Sequence, residues 1–355
     1  MYEKELEALK RAGRFRQRQV FDPTLKDFAS NDYLGLAHKK ELLDRAYDRV
    51  RAYPVNAAKA SQLINGYTDI HRSFEELLCE LNGFESAITV GSGFLANIAL
   101  IEALVRKGDV LFMDEEFHAS GILASRLVEN VVLFAHNDAS DLEKKLRDTP
   151  YKRAIVAVEG IYSMSGDLLH PDIFEVAKDA LVVVDEAHSA GVVGDRLLGV
   201  YDLYDIPIGP NHIKMGTMGK ALGSYGAYIL ASQEIVSFLE NRAKSVIYTT
   251  ALSLMDVALA HEGLMEIANN LGYYKSAVKR RQQIARRFGH DTPGLIVDVP
   301  KKDVIGVQKR LIERGFLVGA IRPPTVKEPM IRVIARVGES EEDLQEVLKC
   351  LDARG

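Results

Sequence analysis

The stretch LVVVDEAHSAG, residues 181–191, places an apolar run directly before Asp185 and Glu186 and shortly before His188. β-Branched residues favour strands, and a short apolar run of this kind is typical of a strand buried inside a parallel sheet. Polar side chains at the carboxyl end of such a strand lie where open α/β sheets bind their ligands. The letters DEAH also occur at the magnesium and ATP site of nucleic-acid helicases, so the stretch admits two interpretations.

Short apolar runs recur between residues 85 and 232, and helical patterns separate them. The runs are AITVG, DVLFMD, VVLFA, AIVAVE, ALVVVD and YGAYILA. This alternation predicts an α/β fold with a mostly parallel sheet. Further along, LIVDV, FLVGA, MIRVIA and a helix from Ser340 predict a smaller α+β domain, and residues 247–270 are predicted to form one long helix. The expected division is an N-terminal arm (1–45), a large α/β domain (46–265) and a small C-terminal α+β domain (266–355).

Composition and charge exclude several classes of protein. The chain has 355 residues, a formal net charge of -5 and both signs of charge interspersed, so it lacks the basic surface of a nucleic-acid binder. Its charged N-terminus and the absence of a long apolar run predict neither a secretory signal nor a membrane span, and hence a cytoplasmic location. Cys79 and Cys350 stand alone, so neither a metal site nor a disulfide is expected.

A helicase would also need a phosphate-binding loop of the form GxxxxGK[ST]. The one candidate is KMGTMGKALG, in which Lys214 stands in place of the first glycine and Ala221 in place of the hydroxyl residue. The loop also follows the acidic strand, whereas a phosphate-binding loop of this type normally precedes it. The helicase interpretation is therefore rejected.

The same residues fit pyridoxal phosphate. This cofactor needs a lysine for a Schiff base, an acid beside its pyridine nitrogen and donors for its phosphate. Asp185 ends the buried strand, and Lys220 follows in a loop flanked by glycines, which permit a close approach of the backbone. His188 is placed to contact the 3-oxygen of the ring.

Candidates for the phosphate donors lie on two segments. The helix start GSGFLAN offers the unpaired amides of Gly93 and Phe94, and Thr217 lies three residues before Lys220. His118 follows a predicted strand and is placed to stack on the ring face. Together these residues predict a cofactor site at one edge of the sheet.

Ten short motifs support a family resemblance and occur in order over nearly the whole chain. They are ASNDYLGL, NGYTDIH, VGSGFLAN, FHAS, AHND, EGIYSMSGD, VDEAHSAGVVG, GTMGKALG, VIYTTAL and AIRPPTV. The chain resembles the α-oxoamine synthases, which are fold-type I pyridoxal phosphate enzymes. These enzymes condense an amino acid with an acyl thioester and release carbon dioxide.

The resemblance implies roles around the cofactor ring. Lys220 would form the Schiff base and transfer protons, and Asp185 would contact the pyridine nitrogen. His188 and Ser163 would lie near the ring oxygen, and His118 would stack on the ring.

It also implies phosphate and substrate contacts. Gly93, Phe94 and Thr217 would bind the phosphate. Thr249 or Thr250 would reach the cofactor of a neighbouring subunit in a homodimer. The residues expected to contact substrate are Arg16, Asn31, Thr325 and Arg332.

Within this family, AIRPPTV, NDYLGL and AHND favour L-alanine and a pimeloyl thioester, as in biotin synthesis. The acyl donor is coenzyme A or acyl carrier protein, and the arginine-rich start of the chain suits either. The alternatives are glycine C-acetyltransferase, which uses glycine and acetyl-CoA, another α-oxoamine synthase with a different amino acid and acyl-CoA, and a non-catalytic subunit of the same fold. Retention of Lys220, Asp185 and His118 disfavours the non-catalytic subunit.

One segment departs from the family pattern. Many relatives have a glycine-rich loop where this chain reads YPVNAAKASQLINGY, residues 53–67. Lys59 and Gln62 are therefore expected to project toward the acyl substrate or toward a partner subunit. His136 and His170 match no role and are predicted to be structural.

Overall fold

The large sheet of the computed structural model, which describes residues 1–352, has seven strands. Their order is β2-β8-β7-β6-β5-β3-β4. The strands are β2 Ser86–Val90, β3 Val110–Asp114, β4 Val131–Phe134, β5 Ala154–Glu159, β6 Leu181–Asp185, β7 His212–Thr217 and β8 Ala227–Ala231. All pair in parallel except β8, which is antiparallel to both of its neighbours. The predicted α/β class with a mostly parallel sheet is confirmed.

Helices connect the strands and cover the sheet. The helices among the described residues are α1 Glu3–Arg11, α2 Lys40–Arg51, α3 Asp69–Asn82, α4 Gly93–Leu104, α5 Ala119–Ser125, α6 Ala139–Asp148, α7 Asp172–Val176, α8 Val200–Leu203, α9 Gln233–Arg242, α10 Lys244–Ile247, α11 Leu254–Asn269, α12 Leu271–Arg287, α13 Val304–Glu313 and α14 Glu341–Asp352. Two hydrophobic clusters cover the faces of the sheet, because successive strand side chains point to opposite faces. Within residues 1–352, no helix is both long and apolar enough to cross a membrane.

A second sheet of four strands lies mainly in the C-terminal part of the chain. Its order is β1-β10-β11-β9. Its strands are β1 Lys26–Phe28, β9 Ile296–Pro300, β10 Phe316–Ile321 and β11 Met330–Ile334. Strand β1 belongs to the predicted N-terminal arm, so the arm contributes a parallel strand to this sheet. The division of the chain at residues 45 and 265 stays a prediction.

Two local predictions were wrong. Strand β7 is absent from the predicted strands, because Lys214 and Gly216 interrupt its apolar pattern; Lys214 is in fact buried and donates hydrogen bonds to Asn82 and to the Leu198 carbonyl. The helix predicted over residues 247–270 begins only at Leu254. Ser253 caps that helix by accepting a hydrogen bond from the Asp256 amide, which leaves residues 248–253 in a loop.

The segment that replaces a glycine-rich loop is fixed by backbone contacts. Lys59 is exposed and has a φ of 71°, a left-handed conformation that residues other than glycine rarely adopt. The Gln62 side chain does not project as expected, because its amide donates to the Thr89 carbonyl at 2.6 Å. Ser61 forms an isolated β-bridge with Thr250, so this segment lies against the loop before α11.

A buried arginine joins the N-terminal segment to the small sheet. Arg336 follows β11 and is fully buried. Its guanidinium donates to the Asp27 carboxylate at 2.8 Å and to the Asp32 carboxylate at 2.5 Å. The next amide, of Val337, donates to the Tyr33 carbonyl at 2.8 Å. Because a buried charge needs such partners, these contacts hold residues 27–33 beside the small sheet.

Candidate active site

The site forms at the carboxyl ends of β5, β6 and β7. In the parallel pairing, Glu159 is opposite Asp185, and Asp185 is opposite Met215. Strand β7 then runs on to Thr217, and Lys220 lies in the turn between β7 and β8. Because parallel strands end at the same edge, residues far apart in sequence meet there.

Lys220 contacts His188 directly. The Lys220 Nζ lies 2.8 Å from His188 Nε2, and His188 Nδ1 lies 2.5 Å from the hydroxyl of Tyr33. Burial lowers the pKa of Lys220 to about 8, although the charges of Asp185 and Glu159 act in the opposite direction. Burial, together with the charge of Lys220, holds the pKa of His188 well below its usual range. The imidazole of His188 is therefore neutral. The pKa of the Lys220 amine lies close to the range that suits a general base.

Asp185 is buried and held by two donors. Its carboxylate accepts from the Asn97 side chain at 2.8 Å and from the Ala187 amide at 2.9 Å. Asn97 lies one turn into α4, and its side-chain amide also contacts Ser120 at 2.9 Å. The carboxylate is therefore fixed in orientation inside the protein, where its interaction with a positive charge is strengthened.

His118 lies at the start of α5, on the same side as Asp185. Its Nδ1 is 2.7 Å from the Ser120 hydroxyl. Burial lowers the pKa of His118, and the charges of Asp185 and Lys220 also act on it, in opposite directions. The shared contacts of Ser120 join His118, Asn97 and Asp185 in one hydrogen-bonded group.

Ser163 and Glu159 lie beside this group. The buried Ser163 donates its backbone amide to the Glu159 carboxyl at 3.1 Å. Burial, together with the nearby charge of Asp185, raises the pKa of Glu159 well above its usual range. Its second oxygen, Oε1, has no hydrogen-bond partner.

The start of α4 lies against the end of β7. A Cβ atom at Gly93 would come within 2.7 Å of the Thr217 methyl group, so only glycine fits there without a shift. The Thr217 hydroxyl is buried and has no partner, and Phe94 is exposed. The Ser92 side chain caps the helix by accepting from the Leu95 amide. The amides of Gly93 and Phe94 stay unpaired at the positive end of the helix.

Arg332 approaches the site from the small sheet. It lies on β11 opposite Asp298 of β9 and is buried. Its Nε and Nη2 atoms have no partner, and neither does either carboxyl oxygen of Asp298. Burial raises the pKa of Asp298 to about 6, and the charge of Arg332 acts against this rise. An enclosed guanidinium with free donors can bind a carboxylate.

The remaining predicted residues do not touch Lys220. The Arg16 guanidinium donates to the Thr325 hydroxyl at 2.8 Å, on an exposed surface. Thr249 and Thr250 lie in the loop between α10 and α11, and Thr250 is exposed. Asn31 comes two residues before Tyr33, and its carbonyl accepts from the Tyr33 amide.

Two residues of the quoted motifs, Glu186 in VDEAHSAGVVG and Tyr33 in ASNDYLGL, have unexpected positions or partners. Glu186 of DEAH is fully buried, and its carboxylate accepts from the Val200 amide at 2.9 Å, so it supports the start of α8. Tyr33, which contacts His188, was not predicted, because nothing in its local pattern distinguishes it from a core tyrosine.

Two further residues of the site were also missed. Asn97 stands inside a quoted motif, four residues after Gly93 and so one turn along the same helix face. Glu159 ends a buried strand as Asp185 does, so the signal that identified Asp185 was sufficient to find it. Among residues 1–352, no cluster of three or more His, Cys, Asp or Glu side chains has the arrangement of a metal site.

Comparison with known proteins defines the family. The model for aminotransferase class I and II matches residues 23–351. The 8-amino-7-oxononanoate synthase of Helicobacter pylori strain J99 is 45% identical over 99% of this chain and 96% of its own. A putative 8-amino-7-oxononanoate synthase of Aquifex aeolicus is 33% identical over 99% of this chain and 97% of its own. The chain therefore belongs to the aminotransferase class I and II family and, within it, to the α-oxoamine synthases.

Solved structures share the fold. Serine palmitoyltransferase from S. paucimobilis superposes with a TM-score of 0.87 at 23% identity, over 99% of this chain and 96% of the other. The 8-amino-7-oxononanoate synthase from Francisella tularensis superposes with a TM-score of 0.76 at 25% identity, over 93% of this chain and 97% of the other. The predicted fold-type I architecture is thereby confirmed.

Proposed function

We propose that this chain is a pyridoxal phosphate-dependent acyltransferase that condenses L-alanine with a pimeloyl thioester and releases carbon dioxide, giving 8-amino-7-oxononanoate for biotin synthesis. The observation that carries the chemistry is the enclosed amine of Lys220, held against His188 at 2.8 Å beside two buried carboxyls, Asp185 and Glu159. The choice of substrates is supported by the full-length similarity to 8-amino-7-oxononanoate synthases.

The residues of the site fit pyridoxal phosphate. The unpartnered Thr217 hydroxyl and the amides at the start of α4 are donors suited to a phosphate, and Gly93 keeps the space between them open. Asp185 is a fixed carboxylate for the pyridine nitrogen, and Lys220 is the amine for the aldehyde. The serine palmitoyltransferase structure with the same fold holds a pyridoxal phosphate–myriocin aldimine.

The cofactor, when bound, supplies an aldehyde that bonds to the substrate amine and a ring that accepts the electron pair released from the α-carbon. The protein supplies orientation and proton transfer. Lys220 takes the α-proton of the amino acid and returns a proton after carbon dioxide has left. Asp185 would hold a proton on the pyridine nitrogen, His118 would cover the ring face, and His188 and Ser163 would lie beside the ring oxygen.

Arg332 is the proposed ligand of the amino acid carboxylate. Its unpartnered Nε and Nη2 atoms can form two parallel hydrogen bonds to one carboxylate, and Asn31 is proposed as a further substrate contact. The guanidinium of Arg332 is buried, and donors that are buried without hydrogen bonds cost free energy. A bound carboxylate removes this cost because it accepts those hydrogen bonds.

The acyl donor is proposed to bind where the N-terminal segment meets the 320–326 segment. Arg16 bonds to Thr325 there, and Arg322 donates to the Phe15 carbonyl at 2.7 Å. Both guanidinium groups lie at this surface, so they suit the phosphate of coenzyme A or of an acyl carrier protein. A cytoplasmic location stays a prediction.

The Gly93→Ala variant tests the phosphate site. The added methyl group would press on Thr217, and overpacking of this kind costs about 1 to 3 kcal/mol, so we expect the affinity for pyridoxal phosphate to fall about 10- to 100-fold. The measurement is an absorbance titration of cofactor-free protein. Gly272→Ala is the matched control, because a Cβ there meets nothing within 4 Å. Unchanged affinity in Gly93→Ala would show that the phosphate binds elsewhere.

Substrate choice is tested by pairing each amino acid with each thioester. We expect L-alanine with a pimeloyl thioester to give the highest kcat/KM, measured by thiol release with mass analysis of the product. One methyl or methylene group contributes about 1 to 3 kcal/mol to discrimination, so the preference over glycine and acetyl-CoA is expected to exceed about tenfold. Faster turnover of glycine and acetyl-CoA would identify a glycine C-acetyltransferase instead.

We further propose that the enzyme is a homodimer with sites at the subunit interface. Large apolar side chains are exposed beside Thr249 and Thr250, among them Ile64 at 77% and Tyr248 at 80% exposure. The bridge between Ser61 and Thr250 and the bond from Ser245 to the Leu95 carbonyl hold this surface next to the start of α4. An exposed apolar surface of this kind is typical of an interface, and it borders the phosphate site.

Sedimentation velocity tests the dimer. The double variant Ile64→Asp and Tyr248→Asp places two charges in the proposed interface, so we expect it to sediment as a monomer and to bind pyridoxal phosphate more weakly. Tyr47→Asp, on the exposed side of α2, is the control and leaves the dimer intact. A wild-type monomer that holds the cofactor stoichiometrically would contradict the roles given to Thr249 and Thr250.

A further inference from the structure

Tyr33, His188 and Lys220 form a continuous line of hydrogen bonds. The Tyr33 hydroxyl lies 2.5 Å from His188 Nδ1, and His188 Nε2 lies 2.8 Å from Lys220 Nζ. In this structure each ring nitrogen of His188 has one partner, and Tyr33 is fully buried. The tyrosine reaches the lysine through the imidazole.

The proposed base must exist in two forms. After it takes a proton, Lys220 is an ammonium with donors only, so His188 Nε2 must accept and the imidazole proton must lie on Nδ1. Before it takes a proton, Lys220 is an amine with a free lone pair. That lone pair can accept a hydrogen bond from a proton on His188 Nε2. His188 can therefore change tautomer when Lys220 changes charge.

A phenol at Nδ1 permits this change, because a hydroxyl both donates and accepts. A carboxylate or a backbone carbonyl only accepts, and either group would hold the proton on Nδ1. Burial raises the pKa of Tyr33, against the charge of Arg332, and burial lowers the pKa of His188. Both side chains are therefore neutral. The Tyr33–His188 hydrogen bond can follow the charge of Lys220 if the Tyr33 hydroxyl rotates and one proton moves between the ring nitrogens of His188.

The surrounding charges leave both forms of Lys220 accessible. Asp185 and Glu159 face the lysine from β6 and β5, and Arg332 faces it from β11. His118, before α5, faces both His188 and Lys220. Tyr33 faces Arg332, Glu159 and Asp298, and the two carboxyls have oxygens without a hydrogen-bond partner.

We propose that Tyr33 is a positioning residue that serves Lys220 through His188. Its hydroxyl accepts from Nδ1 when Lys220 is an ammonium and donates to Nδ1 when Lys220 is a free amine. The inference rests on the proposed role of Lys220 as the base in the reaction.

The Tyr33→Phe variant removes only the phenol oxygen. In cofactor-free protein with ¹⁵N-labelled histidine, NMR from pH 6 to 10 reports the tautomer of His188, and His188→Gln assigns its signals. In the wild type we expect the proton to move from Nδ1 to Nε2 as Lys220 loses its charge, with a midpoint near the lysine pKa of about 8. In Tyr33→Phe we expect it to stay on Nε2, because a buried Nδ1–H would have no acceptor.

The variant should also change Lys220. Without an acceptor at Nε2 the ammonium is less stable, so we expect the pKa of Lys220 to fall by about one unit, measured by NMR of ¹⁵N-labelled lysine. With the cofactor bound, the rate constant for exchange of the alanine α-proton in D₂O should fall about 10- to 100-fold, and the KM for alanine should change less than about threefold.

Tyr201→Phe is the matched control. It removes the hydroxyl of another buried tyrosine, whose bond goes to the Ile213 carbonyl, and it should change neither the tautomer of His188 nor the exchange rate. The inference is overturned if wild-type His188 keeps one tautomer from pH 6 to 10, or if folded Tyr33→Phe retains the pKa of Lys220 and the exchange rate. Proton exchange needs no acyl donor, so failure of the proposed condensation is detected separately.

Discussion

The in-register parallel pairing of β5, β6 and β7 is the constraint on which the site depends. It sets Glu159 opposite Asp185 and Asp185 opposite Met215, and it brings the turn with Lys220 to the same edge. A slip of one residue would turn Asp185 to the other face of the sheet. The apolar β6 run therefore does more than fill the core: it fixes where a carboxylate stands relative to an amine that is 35 residues away in sequence, since 220 − 185 = 35.

The second sheet completes this arrangement from the other side. Arg336 binds Asp27 and Asp32 and so holds the segment that carries Tyr33, whose hydroxyl contacts His188. Arg332, four residues earlier, brings unpartnered donors toward Lys220. Residues near both ends of the chain therefore shape the surroundings of Lys220. The resemblance to relatives likewise extends over 99% of the chain and is not limited to the large sheet.

Much of the fold and of the site could be predicted from the sequence, because strands with continuous apolar runs and motifs with glycine or acidic residues leave strong local signals. These signals singled out Asp185, His188 and Lys220, which the structure places close together. Strand β7 was missed because it contains the buried Lys214, whose partners Asn82 and Leu198 come from distant segments. Tyr33 was missed for a similar reason: its role is set by a contact across 155 positions, which no local pattern records.

The central claim is that Lys220 is the amine that bonds to the cofactor, and chemical trapping tests it most directly. Protein incubated with pyridoxal phosphate would be reduced with borohydride, digested and mapped by mass spectrometry. The account predicts one pyridoxyl group per chain on the peptide that contains Lys220, because its pKa of about 8 leaves far more free amine than an exposed lysine has near neutral pH. Labelling spread over exposed lysines, or labelling of Lys220→Ala equal to that of the wild type, would contradict it.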